Sequence, residues 1–358
     1  MSSTFRKTMC TSLAVTVALA FGSPVLAASS PRVDAQGNVT APAFTVPFSG
    51  YASPEARKLF QRMLEQGRNA PPLDGPVAAS RAYYDKINTA RAELMERLYP
   101  VKIEKRSIGG VPTQVVTPKQ GIAPDQKHRV LINLHGGAFL WGAGAGGLVE
   151  SIPVASVGGI EVITVDYRQG PEHVFPAASE DVAKVYRELL KQYPAKNIGM
   201  YGCSAGGGLT GEAVAWLVHE HLPVPGAIGI YCASIVDISG DSAYVAPVLD
   251  GEPPPESPLK FSDLPYFKGV ETGDPLVFPA NSQALLKQFP PTLLITGTRD
   301  FAMSSAIQSQ RLLTNAGVDA ELHVWDGMWH SFFSDPEMPE SKEAYAVMVH
   351  FFDRHLGR

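Results

Sequence analysis

The sequence predicts an α/β fold: a mostly parallel central sheet of about eight strands flanked by helices, with a helical cap. Two observations predict it. From residue 100 onward short apolar runs alternate with amphipathic segments, the texture of a parallel sheet covered on both faces. One interval, residues 237–287, breaks that alternation with Pro, Gly, Asp and Ser, including Pro253-Pro254-Pro255. A long irregular stretch inside a compact domain is usually functional. The chain has 358 residues, 45% hydrophobic and 18% charged, which suffices for one large domain (101–358) plus a small cap.

Each element can be justified in order. Arg6 and Lys7 precede a mostly apolar run from Met9 to Phe21, and Val25-Leu26-Ala27 supplies small residues for cleavage. Residues 1–27 therefore read as a Sec-type signal peptide cut near Ala27, too short in its apolar run to anchor stably in a membrane. Export to the periplasm or medium is the expectation. Residues 28–50 are rich in Ser, Pro, Ala and Gly and read as a flexible lead-in. Residues 51–100 hold two helices, 54–67 and 76–98. Leu59, Phe60, Met63 and Leu64 recur at helical spacing, as do Tyr83, Ile87, Ala90, Leu94 and Leu98. Pro71-Pro72 and Gly75-Pro76 break the chain between them.

Val101–Ile108 and Val111–Thr117 flank Gly109-Gly110, a hairpin signal that adds antiparallel strands at one edge. Strands follow at Val130–Leu134, Ile160–Val165, Ile198–Tyr201, Ala227–Tyr231, Thr292–Thr296 and Glu321–Trp325. Helices are read at Ala178–Gln192, Ala205–His219, Ser304–Ala316 and Ser341–Leu356.

The chain carries 30 basic and 35 acidic residues, a net charge of −5, and losing Arg6 and Lys7 with the leader takes it to −7. That balance favours neither nucleic acid nor an anionic membrane surface. Cys203 and Cys232 remain after cleavage. An oxidising compartment permits one bond between them, but the tight turn expected around Cys203 argues against it. No cysteines or histidines have the spacing of a zinc site, and no cofactor is implied.

Gly202-Cys203-Ser204-Ala205-Gly206 is a G-x-S-x-G pentapeptide between an apolar strand and a helix. A serine hydroxyl is a poor nucleophile unless it is exposed, aimed and next to a base. A sharp strand-to-helix turn exposes it, and the flanking glycines relieve the crowding. His135-Gly136-Gly137-Ala138-Phe139 directly follows a strand. Glycine backbones let N–H donors approach a developing oxyanion, so Gly136, Gly137 and Ala205 are the expected donors, with Ala138 able to replace one of the first two. His135 is expected to hold the loop. In the chain order that goes with this turn, acid then base follow the serine. Asp300 lies after the strand Thr292–Thr296, and His330 after Glu321–Trp325, both at the strand ends where parallel sheets bind ligands. Of the histidines only His330 has that order and context.

These stretches resemble the hormone-sensitive-lipase-like esterases, also called bacterial family IV carboxylesterases, of the α/β-hydrolase superfamily. The matching residues are His135–Phe139, Asp166-Tyr167-Arg168 with Pro171-Glu172, Gly202–Gly206, Asp274-Pro275-Leu276, Thr296–Asp300, and Ala316-Gly317-Val318 through to His330. The resemblance covers residues 100–356. It implies a Ser204–Asp300–His330 triad and a cap built from residues near 45–100 and part of 237–287. Two departures stand out. Cys203 sits where the family usually has Asp or Thr, and Ala138 replaces the third glycine of the oxyanion loop.

The expected chemistry is acyl transfer from small to medium esters, with a small-molecule ester as the only partner and a homodimer left open. A lactone, carbonate or amide hydrolase would use the same residues, and a ligand-binding protein on this fold is the non-enzymatic alternative. Phe139, Trp141, Trp329, Tyr83 and Tyr84 are the candidate pocket walls.

Overall fold

The computed structural model describes residues 30–357, so the leader reading lies outside the described residues. Two compact units divide at Pro47. The first holds two-residue strands β1 (Arg32–Val33) and β2 (Val39–Thr40), paired antiparallel. Asp34 Oδ1 accepts from the backbone of Gln36 and Asn38 at 2.9 and 2.8 Å. The lead-in expected to lack structure thus contains a small Asx-closed hairpin.

The second unit begins at Phe48. It opens with α1 (Pro54–Asn69) and α2 (Val77–Leu98). Ser53 caps α1 by accepting the Ala56 N–H at 3.0 Å, and Pro54 at the first helical position has no N–H to satisfy. The chain continues as β3 (Val101–Ile108), β4 (Val111–Pro118), β5 (Val130–Leu134), α3 (Ala145–Gly158), β6 (Val162–Val165) and α4 (Ala177–Leu189). Then come β7 (Ile198–Cys203), α5 (Ala205–His219), β8 (Ala227–Tyr231), α6 (Asp241–Leu249) and α7 (Gln283–Leu286). It closes with β9 (Thr292–Arg299), α8 (Met303–Asn315), β10 (Ala320–Trp329) and α9 (Pro339–His355).

The second unit's eight strands form one sheet in the order β10-β9-β8-β7-β5-β6-β4-β3. The six from β10 to β6 run parallel; β4 and β3 are antiparallel at one edge. Alternate strand residues serve two cores. Ile132, Ile163, Met200, Ile228 and Leu294 pack with Val182, Tyr186 and Leu209 of α4 and α5. Leu131, Val162, Tyr201 and Ile295 pack with Ile152, Met348, Phe351 and Phe352 of α3 and α9. Both faces are buried, so the strands read as continuous apolar runs.

Helix α3 was not expected from the sequence, because its Gly-rich start and Pro153 oppose helix formation. Burial of Val149, Ile152, Val154 and Ala155 overrides that propensity. Gly147 is required there, since a β-carbon would meet Thr164 Cγ2 of β6 at 2.1 Å. The irregular interval also contains two short helices, α6 and α7.

Candidate active site

Ser204 occupies the turn between β7 and α5 with φ 56° and ψ −124°. A non-glycine residue at such angles is strained and persists only where its surroundings enforce it. They do so through backbone contacts. A β-carbon on Gly202 would fall 2.2 Å from the Leu134 carbonyl oxygen, and one on Gly206 1.8 Å from the same atom. The two glycines therefore let β7 and α5 close against the end of β5. The Ser204 N–H is tied to the Tyr231 carbonyl of β8 at 2.8 Å.

His330 follows β10 and reaches back across the sheet edge. Its Nε2 lies 2.9 Å from Ser204 Oγ, and its Nδ1 lies 2.8 Å from Asp300 Oδ1. Asp300, after β9, is fully buried. Burial pushes its carboxyl up, but the His330 charge and hydrogen bonds from His330, the Ala302 N–H and Thr296 Oγ1 outweigh this and hold it below the usual carboxylate range. A carboxylate so fixed orders the imidazole tautomer with Nε2 toward the serine. Phe301 stacks on the imidazole at 4.3 Å. Residues distant in sequence are thus brought together as expected.

The loop after β5 departs from expectation at one position. The Gly136 N–H donates to Glu150 Oε1 at 2.8 Å and is thereby already engaged. Gly137, Ala138 and Ala205 have N–H groups without an acceptor among the described residues. Of the four N–H groups read from the sequence, those of Gly137, Ala138 and Ala205 thus stand open and that of Gly136 is engaged. Ala138 has φ 52°, a left-handed angle that its β-carbon tolerates at a cost. Gly137 is at φ 119°, where a β-carbon would strike the Trp141 carbonyl oxygen at 2.0 Å.

His135 holds the loop as expected: it is buried, stacks on Tyr167 at 4.3 Å, and donates through Nδ1 to the Gly136 carbonyl at 2.8 Å. Tyr167 Oη in turn donates to the His135 carbonyl at 2.6 Å. Arg81 of α2 donates to the carbonyls of Leu140 and Gly170 and pairs with Glu172. Gln169 Nε2 donates to the Trp141 carbonyl at 2.6 Å, tying the stretch after β6 to the same loop.

A cavity of about 480 Å³ opens over Ser204, with Trp141, Phe261, Leu264 and Tyr84 among its walls. A second, of about 260 Å³, shares Tyr84, Arg91, His330 and Ser331 with it and adds Tyr83, Met63 and Trp329. Four of the five predicted wall residues therefore face a cavity. Phe139 does not: it is fully buried, stacked on Tyr266 at 4.7 Å and edge-on to Phe267. Its φ of 58° turns it into the core beneath the loop.

Cys203 and Cys232 are both free and buried. Ser331 sits between them, its Oγ 2.9 Å from Cys203 Sγ and its N–H donating to Cys232 Sγ at 3.3 Å. Burial raises both thiols, Cys232 well above its ordinary value. Cys232, Asp300 and His330 have ligand atoms within 4.8 Å of one another, but a protonated thiol and a carboxylate already committed to the imidazole are poor metal ligands.

Residues 131–334 match the family model described as the alpha/beta hydrolase fold (Abhydrolase_3). The chain belongs to the α/β-hydrolase family. Within the family it stands among the hormone-sensitive-lipase-like esterases. The crystal structure of esterase E25 is 30% identical with a TM-score of 0.76, covering 89% of this chain and 99% of that one. An esterase of the bacterial hormone-sensitive lipase family is 27% identical with a TM-score of 0.73, covering 85% and 99%. The acetyl-hydrolase of Streptomyces hygroscopicus is 28% identical over 313 residues, 86% of this chain and 98% of that protein. Carboxylesterase NlhH of Mycobacterium tuberculosis is 28% identical over 286 residues, 72% and 85%. Among the described residues no helix is long and apolar enough to cross a membrane.

Proposed function

We propose that this α/β-hydrolase is a serine carboxylesterase that cleaves small to medium acyl esters through an acyl-enzyme. The observation that carries the reading is the continuous relay from Ser204 Oγ through His330 to Asp300, at 2.9 and 2.8 Å. It stands beside three N–H groups that have no acceptor among the described residues. His330 takes the serine proton as Oγ attacks the ester carbonyl, and the tetrahedral oxyanion settles on Gly137, Ala138 and Ala205. The imidazolium, stabilised by Asp300, then protonates the leaving alkoxide, and water repeats the sequence to release the acid.

The Ser204 cavity, about 480 Å³, suits a modest acyl chain, and the relatives named acetyl-hydrolase and carboxylesterase point the same way. Helix α2 and the 237–287 interval act as the cap, contributing Tyr84, Asn88 and Arg91 on one side and Glu252, Leu259, Phe261 and Leu264 on the other. Export follows from the leader sequence; cell fractionation, with N-terminal sequencing expecting Ala28, tests it.

The deciding experiment is labelling by a fluorophosphonate together with turnover of p-nitrophenyl acetate and butyrate. Both are expected in the wild-type protein and absent from folded S204A. Labelling that survives in S204A rejects the assignment. Faster turnover of a matched lactone or amide would move the substrate class while keeping the residues.

A further inference from the structure

Glu150, on α3, is a carboxylate that no sequence motif marks, and it lines the main cavity. Its Oε1 accepts the Gly136 N–H at 2.8 Å. Its Oε2 accepts Asn133 Nδ2 at 3.0 Å and the Cys203 N–H at 3.2 Å. One side chain therefore ties together the end of β5, the oxyanion loop and the residue preceding the nucleophile. No cation pairs with it among the described residues. Burial pushes its carboxyl up to about 7 against the pull of those hydrogen bonds. An unpaired carboxylate in such a place costs stability and is typical of a functional site. The spacing around it is close: a β-carbon on Gly136 would lie 3.4 Å from Ser204 Cβ and 3.5 Å from Glu150 Oε1.

We propose that Glu150 is a positioning residue that fixes the distance between the oxyanion donors and Ser204 by gripping the loop with one oxygen and the nucleophile turn with the other. This rests on the esterase reading. By drawing the Gly136 N–H inward, the carboxylate orients the next two N–H groups, of Gly137 and Ala138, toward the substrate side. A glutamine of the same shape cannot replace it, because its NH₂ must face an N–H donor at one end. Either the loop or the turn loses its acceptor.

The test compares wild type with E150Q in steady-state ester hydrolysis and in binding of an alkyl trifluoromethyl ketone, whose adduct with serine places an oxyanion in the same hole. The carboxylic acid product serves as the ground-state ligand. E150Q is expected to lose about 10²-fold in kcat with KM nearly unchanged. Its ketone affinity is expected to fall in step while product inhibition stays constant. A purely structural residue would weaken product and ketone binding alike. If E150Q does not fold, E150D decides by the same readouts, since it keeps the charge but is too short to reach both partners. A kcat close to wild type, or a fall in kcat with ketone affinity unchanged, overturns the proposal. A wild-type protein that neither hydrolyses esters nor is labelled at Ser204 would instead refute the parent reading.

Discussion

Replacing Gly206 with alanine probes how tightly the nucleophile turn is set. A β-carbon there falls 1.8 Å from the Leu134 carbonyl oxygen, 2.6 Å from its carbon and 2.7 Å from the His135 carbonyl oxygen. All three are backbone atoms leading into the oxyanion loop, and real β-carbons essentially never approach closer than 3.0 Å. Turn and loop must therefore part by at least 1.2 Å, from 1.8 to 3.0 Å. A misplacement of about 1 Å costs roughly 10²-fold in rate, and here it separates Ser204 from the donors of the facing loop. G206A is expected to lose at least ~10²-fold in kcat/KM, about 2.7 kcal/mol of barrier. Overpacking of this kind costs roughly 1–3 kcal/mol of stability, so Tm falls by only ~2–6 °C. G208A is the control. Its β-carbon meets a single side chain, Phe261, at 3.1 Å, which can shift; a change within about threefold is expected. p-Nitrophenyl acetate hydrolysis and thermal melting read both variants. Equal activity in G206A and G208A would refute the reasoning.

Three further outcomes are expected. D300N removes the charge facing His330 Nδ1 and should lower kcat on the order of 10⁴-fold while leaving Ser204 present; a loss under tenfold would contradict the role of Asp300. Glu150 and Asp250 are both pushed up to about 7, chiefly by burial, from 4.5 and 3.8. Between those values the native state binds more protons than the unfolded chain, so these groups make stability fall as pH rises toward 7. Tm profiles of E150Q and D250N should be flatter than wild type over that window, and parallel profiles would show the shifts are absent. F139A should cost about 3–5 kcal/mol of stability because the ring is fully buried. W141A, on the cavity wall, should instead alter KM across acyl chain lengths; the reverse pattern would return Phe139 to the pocket.

Much of this was legible in the sequence because the relevant physics is local. Strand β5, helix α5 and strand β8 fall at the predicted residues, each bounded by a sharp change in texture. Ser204, Asp300 and His330 were found from chain order and loop context, which topology dictates. Helix α3 was not legible, since its stability comes from burial against α2, α9 and β6 and not from propensity. The same blind spot hid Glu150: a carboxylate's partners are known only once β5 and β7 lie side by side. The sequence left open whether Ala138 takes the place of Gly136 or Gly137, because which N–H stays free depends on that hidden acceptor, which engages Gly136. Phe139 was misplaced for a related reason, its left-handed backbone turning an apolar ring inward.

Strands β8 and β9 are hydrogen-bonded neighbours, yet the chain between them makes its long irregular excursion over the cavity. Because the two strands run parallel, it leaves at the C-terminal end of β8, where Tyr231 pairs with Ile295, and returns to the N-terminal end of β9, where Thr292 pairs with Ile228. On the way it is pinned to the scaffold: the Ser239 and Ser242 N–H groups donate to Ser305 and Ser304 of α8, and Tyr266 stacks on Phe139 beneath the oxyanion loop. Swapping the whole excursion would therefore disturb the footing of that loop as well as the choice of guests, so exchanges confined to the stretch carrying Glu252 and Leu259 on the cavity wall are the ones expected to leave the proton relay in register.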